Sequence, residues 1–172
     1  ACAEVLSNEP VDVDAASRVD LTHLRAYAID DVDTVEVDDA VSAEALGDDG
    51  QIRVWVHIAD PTRWIPLGSP LDEIARQRAT TLYYPTEIVP MFPLEIAAGP
   101  MSLGSRSDVA SEAMTVRADV DREGNIVDFE IMPSYVKLDR RWTYDEVDAE
   151  LDTATCDEGL RLLYKVADAR DE

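Results

Sequence analysis

Positive charge is scarce in this sequence. Only 15 of its 172 residues are Lys or Arg, against 37 Asp or Glu, so the formal net charge at pH 7 is -22. Residues 1–50 alone contain 14 acidic and two basic side chains, a local net charge of -12. A protein that binds nucleic acid through general attraction to phosphate has the opposite balance. Any contact with RNA or DNA therefore requires bridging metal ions or a basic surface supplied elsewhere.

Cysteine, histidine and long apolar runs are scarce as well. Cys2 and Cys156 lie at opposite ends of the chain, and there are two histidines. These counts argue against a disulfide framework and a zinc site of the usual kind, and they indicate a reducing intracellular compartment. No segment approaches the roughly 18 apolar residues of a membrane span, and the start lacks the pattern of a signal peptide. We expect that start to be a boundary inside a longer polypeptide or a trimmed mature end.

The remaining pattern predicts one domain with a mixed α+β fold. A length of 172 residues allows a real core, and the 46% hydrophobic and 30% charged fractions are those of a globular protein. Alternating residues predict strands, turn signals predict two hairpins, and N-cap residues followed by helical spacing predict helices. The strands are expected at 24–29, 52–59, 110–119 and 126–136, and the helices at 69–79, from 143 and at 156–170. We therefore expect a mostly antiparallel sheet with flanking helices, preceded over residues 1–17 by the end of a helix and a linker.

One stretch, Ala28 to Ala40, is unusually acidic. Six of the ten residues from Asp30 to Asp39 are carboxylates, and no Lys or Arg interrupts them. Such a stretch must stay solvated, become partly protonated or meet cations, because its charges repel one another. We expect it to form a loop and then the first strand of a hairpin over residues 30–59. Alternation along that strand separates Glu36 and Asp38 from Asp39, so the carboxylates converge only if the chain bends.

Three interpretations of the acidic stretch are open at this point. The first is a magnesium site, because Mg²⁺ prefers oxygen ligands and two such ions about 4 Å apart can promote phosphoryl transfer. The second is a solvated acidic loop, which composition alone favours. The third is an EF-hand, although the required glycine and the terminal bidentate glutamate are missing.

The order of motifs along the chain is more specific than any one of them. They are, in sequence, Asp20-Leu21-Thr22, Ala28-Ile29-Asp30 to Asp38-Asp39-Ala40, Val56-His57-Ile58-Ala59-Asp60, Gly68-Ser69-Pro70-Leu71-Asp72, Arg78-Ala79-Thr80-Thr81-Leu82-Tyr83, Pro90-Met91-Phe92-Pro93, Met101-Ser102-Leu103, and Leu138 to Asp145 with its Thr143-Tyr144. In this order they resemble the catalytic (RNB) domain of the ribonuclease II and ribonuclease R family. The resemblance covers roughly residues 18–150 and is greatest to the plant organellar branch.

The resemblance implies a chemistry and a set of site residues. Family members hydrolyse single-stranded RNA from its 3′ end with Mg²⁺, for which Mn²⁺ can substitute, and release nucleoside 5′-monophosphates. Asp30, Asp38 and Asp39 fall on the family's metal-site and catalytic aspartates. Glu36 falls where bacterial members usually carry a fourth Asp, so it retains the charge of a metal ligand but reaches one methylene further.

Four other residues receive a role from the resemblance or from their position. Tyr83 matches the tyrosine that packs against the last nucleotides of the RNA, and an aromatic face stacks on any base; the alternative is a tyrosine at a strand end. Tyr144 matches an RNA-contacting tyrosine, although its sequence context alone favours packing in the first turn of a helix. Asp60 and His57 are expected to be structural and packed, respectively.

The chain also lacks parts that the family implies. Intact members have a second half of the catalytic domain, with an arginine that contacts the scissile phosphate, and flanking cold-shock and S1 domains. We expect residues 18–172 to be the amino-terminal half, completed by the same or another chain and weakly active or inactive alone. The segment 104–108 departs from the bacterial Asp-Arg pattern. The alternatives are an inactive scaffold or assembly subunit of a larger complex, and a plain divalent-cation-binding domain; the compartment could be the chloroplast or the mitochondrion.

Overall fold

The structure, a computed structural model, describes residues 2–7, 10–104 and 109–171. Most of the segment that departs from the bacterial pattern, residues 105–108, lies outside that description. The helices are α1 (Cys2–Ser7), α2 (Pro70–Arg78), α3 (Leu94–Ala97), α4 (Tyr144–Leu151) and α5 (Glu158–Asp171). The strands are β1 (Val19–Asp20), β2 (Ala26–Asp30), β3 (Asp39–Leu46), β4 (Gln51–Ala59), β5 (Leu82–Tyr83), β6 (Ile88–Val89), β7 (Ser111–Val120), β8 (Ile126–Val136) and β9 (Leu138–Thr143). Within the described ranges, no helix is long and apolar enough to cross a membrane.

Seven of the strands form one sheet in the order β1-β8-β7-β4-β3-β2-β9. Its central pairs are antiparallel, whereas β1 with β8 and β2 with β9 are parallel. The turns at 47–50 and 121–125 close the hairpins β3–β4 and β7–β8, and Gly47, Gly50 and Gly124 there have the positive φ that favours glycine. β5 and β6 form a separate hairpin, in a stretch that also contains Pro85 and Pro90. The predicted mixed, mostly antiparallel α+β fold is confirmed.

Helix boundaries follow from the capping residues that the sequence displays. The Ser69 hydroxyl accepts from the backbone N–H of Asp72 at the start of α2, where Pro70 occupies the first turn. Thr143 and Glu146 form the predicted capping box of α4, each side chain accepting from the other's backbone N–H. These local signals were sufficient to predict where both helices begin.

The core lies mainly beneath β3, β4 and β7. Trp55, Ala113 and Val136 pack there with Leu103 and Val37, and all five are at most 7% exposed. A second cluster joins Tyr27 and Trp142 to Leu160 of α5, which fixes that helix against β2 and β9. The strands that lead to the acidic residues are thus held from both sides by apolar contacts.

One prediction of secondary structure was wrong, and strand β9 was not predicted. Residues 35–38 do not form a strand: β3 begins only at Asp39, so most of the acidic residues precede the hairpin strand instead of lying along it. Strand β9 pairs in parallel with β2, more than 100 residues away. Both the error and the omission concern contacts between distant parts of the chain.

Candidate metal and RNA site

We call residues 31–38, between β2 and β3, the acidic loop. Its last residues are held by backbone hydrogen bonds: the Leu103 N–H donates to the Val37 carbonyl at 2.9 Å, and the Ala59 N–H donates to the Asp38 carbonyl at 2.7 Å. The Val37 N–H donates to the Ser102 hydroxyl at 3.2 Å, and the Val37 side chain is 3% exposed. Val37 is therefore hydrogen-bonded to residues 102 and 103 instead of to a neighbouring strand, so strand alternation does not arrange the acidic residues before Asp39.

The acidic loop borders an open cleft of about 510 Å³. Six carboxylates line it: Asp30, Asp31, Asp33, Glu36, Asp38 and Asp39. The lining also includes Thr81 and Tyr83 and two apolar side chains, Ile88 and Leu94. Tyr83 is 75% exposed, so its ring is free to contact a ligand in the cleft. The structure thus brings together the four predicted metal-site residues and the first predicted RNA-stacking tyrosine.

The carboxylates in the cleft influence one another electrostatically. Partial burial raises the pKa of Asp38, and the neighbouring charges of Asp39 and Asp30 raise it further. Burial also raises the pKa of Asp30, with opposing contributions from Arg141 and Asp39. Burial and the charge of Asp38 raise the pKa of Glu36. These side chains have lost part of their hydration and repel each other. A bound cation would lower the free energy of the ionised carboxylates by offsetting both effects.

The carboxylates are of the right chemical type for Mg²⁺ or Mn²⁺, but they do not form a complete set of protein ligands. Every donor is a carboxylate oxygen, the ligand type that these ions prefer. In the described part of the chain, no three His, Cys, Asp or Glu side chains are close enough to form a complete protein ligand group. Mg²⁺ usually retains waters and is held by one or two carboxylates together with substrate phosphates. The cleft therefore suits an ion whose remaining ligands are water and phosphate.

Arg141 is the site residue that the sequence reasoning missed. Its Nε lies 3.8 Å from Asp30 Oδ2, and its Nη2 donates to the Thr34 carbonyl. The residue lies in β9, opposite Ala28 of β2, so its side chain reaches the loop only because these strands pair. Two consecutive arginines just before a helix cap, in so acidic a chain, were the available signal.

Tyr144 lies near Asp30 but does not line the cleft. Asp30 pairs with Thr143, and Tyr144 follows as the first residue of α4. Its side chain is 60% exposed, so the structure contradicts the alternative of a packed first-turn residue. The position leaves the ring accessible beside the end of β2.

Asp60 and His57 have structural roles. Asp60 is 3% exposed and forms an ion pair of 2.7 Å with Arg18, which also binds Asp12. His57 is fully buried, with its Nε2 3.0 Å from Ser42 Oγ and its Nδ1 2.8 Å from Thr115 Oγ1. Burial lowers the pKa of His57 to about 4, so the ring is neutral at pH 7. Neither side chain is available to a ligand in the cleft.

Known proteins resemble the chain in sequence and in fold. An uncharacterized ribonuclease of Synechocystis is 47% identical over 148 residues, which are 85% of this chain and 21% of the relative. The chloroplastic/mitochondrial ribonuclease II of Arabidopsis thaliana is 38% identical over 173 residues, 99% of this chain and 21% of the relative. This chain therefore spans about a fifth of the length of these curated relatives.

A solved structure shares the fold. Mycoplasma genitalium RNase R, in complex with ribose methylated single-stranded RNA, superposes with a TM-score of 0.85 at 22% identity, over 98% of this chain and 27% of that one. The model of the RNB domain matches residues 18–172. The predicted resemblance, including that to a plant organellar enzyme, is confirmed, and the chain belongs to the RNB-domain family of ribonucleases.

Proposed function

We propose that this chain is the metal-binding half of a 3′-to-5′ exoribonuclease that hydrolyses single-stranded RNA and releases nucleoside 5′-monophosphates. One observation carries the proposal: mutually repelling carboxylates and an exposed tyrosine line the same cleft. Charged oxygens and an aromatic ring in one cleft suit a phosphodiester held next to a stacked base. Membership of a ribonuclease family favours the same chemistry.

Each acidic residue has a specific role in this proposal. Asp30, Asp38 and Asp39 supply the carboxylates for Mg²⁺ or Mn²⁺, with one or two of them on an ion and water and the substrate phosphate as its other ligands. Glu36 adds a longer carboxylate to the same set, which preserves charge but alters reach. When bound, the metal ion supplies Lewis-acid activation of water and of the phosphate oxygens. The partial desolvation that raises the pKa values of Asp30, Glu36 and Asp38 also strengthens the attraction of their oxygens to a cation.

The tyrosines determine where the RNA lies. Tyr83 stacks on the bases near the 3′ end, which accounts for binding without sequence preference. Tyr144, exposed beside Asp30, contacts the RNA further along. Neither residue neutralises phosphate, and the net charge of -22 leaves the RNA backbone without a basic surface here. A basic surface must therefore come from another part of the protein.

That other part is the remaining half of the RNB domain, with cold-shock and S1 domains, in the same or another chain. Val56, Val116 and Ile131 are paired across β4, β7 and β8, so their side chains share one face of the sheet. On that face Val56 and Ile58 are 37% and 42% exposed, and Ile131 is 61% exposed. A partly uncovered apolar sheet face beside Asp39 is a surface on which such a half-domain can pack.

The location belongs to the same proposal. The Arabidopsis relative is named as chloroplastic/mitochondrial, and a reducing organelle of that kind agrees with a chain that has two cysteines. Fractionation of cells with an antibody to the chain tests this assignment.

An RNA-decay assay tests the activity. The natural polypeptide that carries this chain is incubated with uniformly labelled single-stranded RNA and Mg²⁺, and the released mononucleotides are separated from the remaining RNA by electrophoresis. Asp39→Asn should abolish release of monophosphates, because it removes one charge from the site. Asp48→Asn, in the β3–β4 turn, is the matched control and should leave the rate unchanged.

Three outcomes would overturn the proposal. Equal activity in wild type and Asp39→Asn would show that the cleft does not carry the reaction. A complete lack of activity in the whole polypeptide, with RNA binding retained, would favour the inactive scaffold or assembly subunit instead. Tight Ca²⁺ binding with no dependence on Tyr83 or RNA would favour a plain cation-binding domain.

A further inference from the structure

Arg141 is the counter-charge of the acidic loop. Among residues 10–104 and 109–170, it is the one cationic side chain that forms an ion pair with any carboxylate from Asp30 to Asp39. Within these ranges the six carboxylates therefore have a single guanidinium as ion-pair partner, and it contacts Asp30. The charge of Arg141 opposes the effect of Asp39 on Asp30, which indicates that its influence reaches the site.

Arg141 also contacts the first part of the loop, residues 31–36. The backbone contacts described above hold Val37 and Asp38, at the end of the loop. Between residues 31 and 36, the turn is closed locally by the Thr34 N–H donating to the Asp31 carbonyl at 3.1 Å. Of the hydrogen bonds in the described structure, only that from Arg141 to the Thr34 carbonyl connects residues 31–36 to the rest of the fold.

We propose that Arg141 is a positioning residue, which holds the acidic loop in place when no divalent cation is bound and becomes dispensable when one binds. Its ion pair with Asp30 is loose at 3.8 Å, and its side chain is 38% exposed. A divalent cation readily replaces the guanidinium in such a weak, partly exposed ion pair, because its charge is higher. Without either cation, repulsion among the carboxylates favours an open loop. The second step, replacement by a divalent cation, rests on the proposed function; the first does not.

Hydrogen exchange on peptides that cover residues 31–38 tests this proposal. Wild type, Arg141→Gln and Arg140→Gln are compared in EDTA and then in saturating Mg²⁺. In EDTA we expect exchange about three- to tenfold faster in Arg141→Gln, the range for losing a partly exposed hydrogen bond to a charged group. In Mg²⁺ the difference from wild type should disappear. Arg141→Lys, which retains the charge, should fall between the two and serves if Arg141→Gln does not fold.

Arg140→Gln is the matched control. The Arg140 guanidinium lies 3.3 Å from the centre of the Trp142 ring and has no described contact with the loop. This variant should exchange like wild type in residues 31–38 under both conditions.

The possible results separate this inference from the proposed function. Equal exchange of wild type, Arg141→Gln and Arg141→Lys in EDTA would overturn it. Faster exchange in Arg141→Gln that persists in Mg²⁺, while Mg²⁺ slows the wild-type loop, would show that Arg141 is needed in both states and would also overturn it. If Arg141→Gln exchanges faster and Mg²⁺ changes neither protein, the role of Arg141 without metal stands, and the proposed metal site fails.

Discussion

The buried His57 should make the fold next to the cleft sensitive to acid. His57 pairs with Ala40, adjacent to Asp39, so the stability of this part of the sheet determines where the acidic residues lie. The Ser134 hydroxyl donates its proton to the Ala113 carbonyl. The hydrogen bond between Ser134 and Thr115 must therefore be donated by the Thr115 hydroxyl. Thr115 then accepts a hydrogen bond from His57 Nδ1. The network therefore assigns the proton of the neutral ring to Nδ1 and leaves Nε2 to accept from Ser42.

The expected magnitude follows from the two pKa values of this histidine. The pKa is about 4 in the folded protein and 6.5 in the unfolded chain. Because the unfolded chain binds the proton more tightly, stability is retained above pH 6.5 and falls as the pH decreases towards 4. At pH 5 the loss attributable to His57 is about 2 kcal/mol, and below pH 4 it approaches about 3.4 kcal/mol.

Urea unfolding at pH 7 and pH 5 measures this loss. The free energy of unfolding of the wild type should fall by about 2 kcal/mol more than that of His57→Gln, since contributions from carboxylates cancel in the comparison. His23→Gln, at an exposed histidine, is the control and should behave as wild type. If His57→Gln does not fold, NMR titration of the wild-type ring replaces it. An imidazole that titrates near pH 6.5, or an equal pH dependence in both proteins, would refute the reasoning.

Three further predictions concern the cleft. Tyr83→Ala should weaken binding of single-stranded RNA by about five- to a hundredfold, because a stacking contact is lost. Tyr84→Ala, at a residue that does not line the cleft, should change the affinity little. Equal losses of affinity in a fluorescence titration would exclude stacking by Tyr83. Because the pKa values of Asp30, Glu36 and Asp38 are raised, protons should compete with Mg²⁺ at a higher pH than they do at ordinary carboxylates. The rise in Tm that Mg²⁺ causes should therefore shrink as the pH falls. A rise in Tm that stays constant down to pH 4 would contradict this. Val37→Ala should lower the free energy of unfolding by about 2 kcal/mol and reduce the rise in Tm that Mg²⁺ causes. Val35→Ala, at a side chain that is 61% exposed, should change neither quantity. Equal effects of the two variants in urea unfolding would show that burial of Val37 is unimportant.

Local signals in the sequence predicted most of the fold. The hydroxyl of Ser69 and the Thr143–Glu146 pair each act within three residues of themselves, so their helices could be recognised without knowledge of the partners. The hairpin turns are equally local, because a glycine with positive φ is required where two alternating runs meet. Because the two strands of a hairpin are antiparallel, the two hairpins predicted a mostly antiparallel sheet.

The acidic loop shows why the rest could not be predicted. Val35 and Val37 alternate as in a strand, yet Val35 is exposed while Val37 is buried beneath Leu103. The hydrogen bonds that hold the end of the acidic loop come from Ala59, Ser102 and Leu103, between 21 and 66 residues away. No local pattern encodes such contacts.

Arg141 was missed for a related reason. Its place in the site depends on the parallel pairing of β2 with β9, which are separated by most of the chain. The resemblance to a family identified Asp30, Glu36, Asp38 and Asp39 as one group, but the motifs that carry the resemblance gave no partner for their charge. Three-dimensional contacts were needed to find one.

The most direct test of the central claim is an NMR titration of this chain with Mg²⁺. We predict shifts of backbone amide signals that are confined to residues 30–39 and their cleft neighbours, that saturate at millimolar concentration, and that are lost in Asp38→Asn. Shifts spread over the whole acidic surface, or shifts that are the same in Asp38→Asn, would contradict a metal site in the cleft.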